Sequence, residues 1–380
     1  MKFLDARSSE IEALEAFGIK SMAVEYYQVP LAEPLVDASH GTHTFFELIV
    51  CRITGENGVE GVGYTYTGGS GGHAIYSVIA DDLKPRILGK NGADIEDVWQ
   101  SMQKDLHYVG RGGILSFAIS AIDIALWDIR CKSLNLPLWQ VLNAPSNATA
   151  CYAGFIDLHL GGDELQQLVK KHMAMGQTAV KTKVGRENIA EDVERVAAIR
   201  EVLGDDNALM VDANWSYTKE RAIEFSNSVS KYNISWFEEP VSPDEFEDYA
   251  AIAEATDIPL AMGENLHLVE EFERAIKYSD LAYLQPDCSN IGGITGFLKV
   301  AELADKAGLK ICSHGMHELH VSLLAALPHS GMLEVHSFPI DQYTISPLKI
   351  RDGQAFAPDH NGVGVIFDEA KLSPHLKMQS

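Results

Sequence analysis

From about residue 150 onward, short apolar runs recur every twenty to thirty residues, and each ends in a polar or charged side chain just before a loop. The first four are Ala179-Val180-Lys181-Thr182-Lys183, Leu209-Met210-Val211-Asp212, Ser235-Trp236-Phe237-Glu238 and Leu260-Ala261-Met262-Gly263-Glu264. Ala282-Tyr283-Leu284-Gln285-Pro286-Asp287, Lys310-Ile311-Cys312-Ser313-His314 and Met332-Leu333-Glu334 continue the series. Helical patterns such as 189–202, 219–228 and 296–307 lie between them. Strands alternating with helices at this period predict a parallel sheet of βαβ units. With 151–154 as a first strand the count reaches eight, the number that closes a barrel. An open doubly wound sheet would carry a glycine fingerprint after its first strand, and none stands there. Gly292-Gly293 with Gly296 reads instead as a loop entering a helix. The barrel also explains why the charges fall at carboxyl ends of strands, where barrel active sites lie.

The first 140 or so residues have a different pattern. Segments 21–28, 44–54 and 59–66 are rich in β-branched and aromatic residues and predict three strands, with Glu56-Asn57-Gly58 as a hairpin turn. Apolar spacing becomes helical over 74–106, and 114–131 is apolar on nearly every face, as a helix buried between layers would be. Ile11, Leu14 and Phe17 suggest a short extra helix before the first strand. The chain therefore divides into an α+β domain over 1–145, a barrel over 146–349 and a segment over 350–380 that returns to the first domain.

Composition narrows the function. The 54 acidic and 30 basic side chains give a formal charge of −24, which disfavours nucleic acid or an anionic membrane as partner. Residues 1–7 lack the apolar core of a signal peptide, and no run is long enough to span a membrane. Five scattered cysteines read as reduced thiols of a cytoplasmic protein, packed as small apolar side chains.

Asp212, Glu238 and Glu264 close successive strands at two intervals of 26 residues, without an evident basic partner. Three convergent carboxylates suit a hard divalent cation, most naturally Mg²⁺. Asn214 and Glu239 stand beside these ligands and could orient them. Lys181 and Lys183 are two apart on a strand and so share the barrel's inner face. Their mutual repulsion and a nearby cation should lower the pKa of at least one, as a lysine base requires. Asp287 and His314 end adjacent strands, where the carboxylate could fix the tautomer of the imidazole. Glu334 could stay protonated and donate to a substrate carboxylate. His317 and His320 follow His314 at intervals of three, but their expected place is the next helix, not a zinc site. The whole set suits abstraction of a proton α to a carboxylate, with a base on each side of the substrate and Mg²⁺ stabilising the charge that develops.

In order and context, these residues resemble the mandelate racemase subgroup of the enolase superfamily. The pattern is Lys181-Thr182-Lys183, then Asp212, Glu238 and Glu264, then Asp287 with His314, then Glu334. Val211-Asp212-Ala213-Asn214, Trp236-Phe237-Glu238-Glu239-Pro240, Gly263-Glu264-Asn265 and Gln285-Pro286-Asp287 match locally, which adds Asn265 to the residues beside the metal ligands. The resemblance implies a (β/α)₇β TIM-like barrel with an α+β capping domain, and a homo-oligomer. Segment 59–66 and the helix over 118–128 look most like acid-sugar dehydratases of the galactarate/talarate type. That likeness implies Lys183 and His314 as acid/base pair, and Lys181 and Glu334 as binders of the carboxylate. It implies that two cap loops, around His40, Thr42 and His43 and around Tyr66 to His73, close over the barrel mouth and meet the substrate.

The leading expectation is Mg²⁺-dependent dehydration of a small anionic acid sugar to a 2-keto-3-deoxy acid. Racemisation or epimerisation of a 2-hydroxy acid and sugar-lactone cycloisomerisation use the same residues. An aryl racemase would need an apolar loop pocket, which the polar residues His40, Thr42, His43, Thr65, Ser70 and His73 do not promise. A barrel kept only for binding would have lost a ligand or a base, and here all are present.

Overall fold

The structure, a computed structural model, describes residues 8–12 and 14–380. Segment 1–7, and with it the expectation about a signal peptide, lies outside the described residues. Three long antiparallel strands form the amino-terminal sheet: β1 (Ile19–Asp37), β2 (Gly41–Gly55) and β3 (Glu60–Thr67). Gly58, at φ +80°, makes the β2–β3 turn that the sequence places there. The first strand runs nine residues past its expected end at Gln28. Its register breaks between Pro30 and Leu35 and resumes with Leu35 opposite His43. Proline cannot donate to a ladder, so the pattern stops there while the chain continues through an irregularity. That continuation carries Asp37 to the barrel mouth.

The barrel strands are β4 (Ala148–Gly154), β5 (Ala179–Lys183), β6 (Ala208–Asp212), β7 (Ile234–Glu238), β8 (Leu260–Met262), β9 (Tyr283–Leu284), β10 (Lys310–Ile311) and β11 (Leu333–Val335). Each of β4 to β10 is followed by a helix, and β11 pairs in parallel with β4. A bridge from Ile311 to Ser330 joins β10 to the segment entering β11. The fold is thus a (β/α)₇β barrel with an α+β cap. The tail divides instead of returning whole to the cap. Strands β12 (Lys349–Arg351) and β13 (Gln354–Phe356) form a hairpin on β4, and only β14 (Leu376–Gln379) reaches the outer edge of β1.

Barrel strands alternate inner and outer side chains, and the inner ones form two layers. Tyr152, Ala179, Met210, Trp236, Ala261 and Cys312 form one apolar cluster that plugs the interior. Two residues further along their strands stand Lys181, Asp212, Glu238 and His314. The plug leaves the upper layer as a floor of charged groups.

The helix Ile114–Ser133 joins cap to barrel, buried along nearly its whole length as its composition predicts. One face packs on β3 so closely that a side chain at Gly63 would strike the backbone of Ala121 and Ala125. On the other face Ser120 Oγ accepts the amides of Gly292 (3.0 Å) and Gly293 (2.9 Å), and Trp127 Nε1 donates to Thr295 Oγ1 (2.9 Å). At the mouth, Val36 N donates to Ile156 O and Leu158 N to Val36 O. The five cysteines are buried and free, and no described helix is long and apolar enough to cross a membrane. The amino-terminal helix covers Ser8–Glu12 and stops short of Leu14 and Phe17.

Candidate active site

Asp212 and Glu238 are the last residues of β6 and β7, as read from the sequence, and Glu334 is the middle residue of β11. Glu264, Asp287 and His314 lie two or three residues beyond short strands, on loops held by backbone bonds such as Gln285 N to Met262 O and Cys312 N to Leu284 O. Ligand atoms of Asp212, Glu238 and Glu264 all lie within 4.8 Å of one another, and all three side chains are buried.

The acids have basic partners, contrary to expectation. Lys181 Nζ contacts Glu238 Oε1, Glu334 Oε1 (2.9 Å) and Asp212 Oδ2 (3.3 Å). Lys183 Nζ donates to Asp212 Oδ2 (2.5 Å), and His314 Nε2 lies 3.3 Å from Glu264 Oε2. Strand alternation places both lysines inside, but which carboxylates they reach depends on strands far along the chain. Trp236 Nε1 (3.0 Å) and Gln285 Nε2 (2.5 Å) both donate to Glu238 Oε2. Neither was picked out from sequence, although each stands two residues before a chosen acid and so shares its face.

In the cation-free site two groups carry protons differently from the expectation for the loaded site, for the same reason. Burial pushes both lysines down, but the carboxylates around them outweigh it and hold both above the usual range. Burial likewise pushes Glu334 up, yet Lys181 and His314 hold it well below the carboxylate range, so it is ionised. Its Oε2 accepts the Gly315 amide (3.0 Å), which favours the same charged form. Asp212 is held at about 2, with Lys183 and Lys181 overcoming burial. Glu238 rises to about 8, through burial first and then repulsion from Asp212, Glu264 and Glu334 against the pull of Lys181.

The remaining dyad is formed as expected. His314 Nδ1 lies 2.9 Å from Asp287 Oδ2, whose other oxygen accepts the Ser289 amide (2.7 Å). Burial lowers the imidazole, but Glu264, Asp287 and Glu334 together raise it to about 10. Tyr66 of the cap donates to the same Asp287 oxygen (3.1 Å). Its hydroxyl fits only because Gly315, at φ +54°, has no side chain. His317 and His320 are on the helix His317–Ala326, facing Asp341 (3.0 Å) and the Gly315 carbonyl (2.7 Å), and among the described residues they belong to no group of metal-ligating side chains.

These groups open into a cavity of about 260 Å³ between cap and barrel. His40, His43, Tyr66 and Ser70 line it, whereas Thr42 and His73 do not and are exposed. Alternation along β2 turns His43 inward and Thr42 outward. Thr65 is buried and donates to Ser289 O (2.7 Å) instead. The walls are more apolar than expected, with Ile75, Ile114, Phe117, Ile156 and Phe338 among them. Asp37, Asn290 and His336 complete the polar side and had no signal strong enough to select them. A wider groove of about 890 Å³ along 345–360 has no comparable charge cluster.

The donor set fits a divalent cation. Among the described residues, the ion pairs of six buried carboxyls (Asp212, Glu238, Glu239, Glu264, Asp287 and Glu334) are made with Lys181, Lys183 and His314. Glu264 Oε2 and Glu239 Oε1 have no hydrogen-bond donor among the described residues. Glu239 rises well above the carboxylate range through burial and repulsion from Glu264, Asp212 and Glu238. Asn214 donates to Glu264 Oε1 (3.2 Å) and Asn265 to Glu239 Oε2 (2.7 Å). Asn214, Trp215 and Glu239 have positive φ, backbone strain that gathers here around the acids.

Comparison with known proteins follows the same division of the chain. Residues 21–143 match the model of the mandelate racemase / muconate lactonizing enzyme N-terminal domain, and 164–371 that of the enolase C-terminal domain-like family. A 3,6-anhydro-α-L-galactonate cycloisomerase of Streptomyces coelicolor is 41% identical, with 93% of this chain and 98% of that protein covered. An L-talarate/galactarate dehydratase of Salmonella typhimurium is 37% identical over 90% of this chain and 87% of that protein. A crystal structure of the Salmonella dehydratase with Mg and L-lyxarohydroxamate superposes at a TM-score of 0.91, with 33% identity, covering 98% of this chain and 95% of that one. A Streptomyces coelicolor racemase with bound magnesium superposes at 0.92, with 40% identity, covering 94% and 100%.

Proposed function

The chain belongs to the mandelate racemase / muconate lactonizing enzyme family of the enolase superfamily, and from that premise we propose that it is an acid-sugar dehydratase. It removes the proton α to a carboxylate and expels the 3-hydroxyl, giving a 2-keto-3-deoxy acid. The observation that carries this is the pair Lys183 and His314, which line one cavity, each against a different acid of the carboxylate floor.

Asp212, Glu238 and Glu264 would hold Mg²⁺, which supplies positive charge against the buried acids and polarises a substrate carboxylate. Lys181, ionised and fixed between Glu238 and Glu334, binds that carboxylate. With Asp212 and Glu264 engaged by the cation, one of Lys183 and His314 would give up its own proton and accept the C2 proton, while the other protonates the departing oxygen at C3. Breaking the C3–O bond leaves an enol that becomes the keto acid. Asp287 fixes the His314 ring, and Tyr66 fixes Asp287. Residues 1–145 form the cap, 146–349 the catalytic barrel and 350–380 the segment that ties the two together.

A second reading is cycloisomerisation, favoured by the 41% identical cycloisomerase and by the apolar wall of Ile114, Phe117 and Phe338. In a 3,6-anhydro acid the C3 oxygen belongs to a ring, so the same elimination opens the ring without releasing water. Proton NMR in deuterated water, with Mg²⁺ and a panel of aldonic, aldaric and anhydro acids, tests both. Keto acid from an open-chain acid supports dehydration, and keto acid from an anhydro acid alone supports cycloisomerisation. Deuterium at C2 with no keto acid would instead mean epimerisation.

A further inference from the structure

His336 follows Glu334 by two residues, just past the end of β11, and lines the cavity. Its ring is wedged among three others. It meets Phe338 nearly edge-on, with centroids 4.7 Å apart at 83°, and His314 at 5.2 Å and 72°, with Tyr66 at 6.5 Å. The backbone beneath it is held as well, since His317 Nδ1 accepts the His336 amide (3.2 Å).

The Phe338 amide donates to His336 Nδ1 (3.2 Å). An imidazole nitrogen that accepts an amide carries a lone pair, so the ring is neutral and its proton is on Nε2. Burial lowers the ring to about 3, and His314, Lys183 and Lys181 add to that effect against the pull of Glu334. Among the described residues Nε2 has no hydrogen-bond partner. One nitrogen of His336, one of His314 and an oxygen of Glu334 lie within 4.8 Å of one another. On His314, Nδ1 belongs to Asp287, so Nε2 is the nitrogen left for a substrate. Two N–H donors therefore stand together beside Glu334, while Lys183 stands against Asp212.

A base that takes a proton from carbon gains nothing from a neighbouring N–H donor. An oxygen leaving carbon does, because negative charge gathers on it. We propose that His336 Nε2–H hydrogen-bonds the oxygen departing from C3, the oxygen that His314 protonates, which leaves Lys183 to take the C2 proton. This rests on the acid-sugar reading above and deepens it, and it holds whether that oxygen leaves as water or stays in the chain as an anhydro ring opens. The electron pair of the C2–H bond moves into the substrate carboxylate, then forms the C2=C3 bond as the C3–O bond breaks. His314 gives its proton to the oxygen. His336 keeps its own, because a neutral imidazole is too weak an acid to release it.

Two variants separate this role from a structural one. His336→Asn puts Oδ1 where Nδ1 was, which keeps an acceptor for the Phe338 amide but brings no donor to the Nε2 position. His336→Gln does the reverse: its amide N–H reaches the Nε2 position and the Phe338 amide loses its acceptor. Proton NMR in deuterated water with saturating Mg²⁺ follows keto acid and C2 deuterium together, for an acid that the unmodified protein converts. His336→Asn should lower keto acid formation about 10²-fold and C2 exchange less than about threefold, so that deuterium accumulates in unreacted acid. His336→Gln should keep the ratio of the two rates within about threefold of the original. His336→Ser, whose hydroxyl can accept the same amide, replaces the asparagine variant if that protein does not fold. Equal slowing of both rates, or a ratio disturbed more by glutamine than by asparagine, would overturn the inference and leave the acid-sugar reading standing. So would a melting point of His336→Asn that no longer responds to magnesium, since the ring would then serve the metal site. Neither keto acid nor exchange from any acid with the unmodified protein would sink both.

Discussion

Removing one oxygen from the carboxylate floor should abolish the response of the protein's stability to magnesium. Glu264→Gln is the suitable change because Asn214 donates to Oε1, and the glutamine carbonyl can accept that bond in its place. Asp212→Asn would instead orphan Lys183, whose closest partner is Asp212. A cation that binds only the folded form stabilises it by about 2.7 kcal/mol at a hundred times its dissociation constant. With an unfolding entropy near 2.1 cal/mol/K per residue, a chain of 380 residues gains about 3 °C in Tm. A fluorimetric melt after EDTA treatment, with MgCl₂ then added stepwise, measures this directly. The unmodified protein should rise by about 3 °C and Glu264→Gln should stay flat, with a similar melting point in EDTA. A melt insensitive to magnesium, or an undiminished rise in Glu264→Gln, would refute the assignment of the three acids.

Lys183→Met and His314→Asn should each lower turnover of the accepted acid about 10²–10⁴-fold, with circular dichroism unchanged; activity within a few-fold of the original would remove that residue from the chemistry. Lys181→Met strips Glu238 and Glu334 of their shared cation in a buried site. Breaking such a network costs about 3–5 kcal/mol, read as a lower urea midpoint in EDTA. The sign of the pH dependence follows from His314, raised from 6.5 to about 10 in the cation-free protein. Its contribution is full below the unfolded value and is lost as pH rises through the folded one, so Tm in EDTA should fall between pH 6.5 and 10. That fall should shrink in His314→Asn, and an identical pH profile would contradict the ion pairing described.

The barrel was legible because parallel strands buried on both faces read as unbroken apolar runs, and its active end is marked by the charge that terminates each run. Asp212, Glu238 and Glu264 were visible for that reason. What the sequence concealed was reach across the fold. Nothing local to Glu334 reveals that Lys181, far away in the chain, keeps it ionised. Nor does the stretch after Pro30 look like a strand, although it delivers Asp37 to the cavity. Loop residues were hardest to place. His40 and His43 line the pocket while Thr42 and His73 do not, a distinction set by strand register and helix phase and not by polarity. The apolar wall went unseen because Ile114, Phe117 and Phe338 come from separate elements and meet only in the folded protein.

The pairing of β14 with β1 has a consequence for how this chain is made. Gln379 hydrogen-bonds to Glu25, 354 residues earlier in the chain. At ordinary translation rates of about 5–20 residues per second, the outer edge of β1 therefore waits roughly 20–70 s for its neighbour to be synthesised. Through that interval the Glu25–Tyr27 stretch of that edge stands without its partner strand, the kind of template on which other chains assemble. Slowing the ribosome late in the message would lengthen that interval.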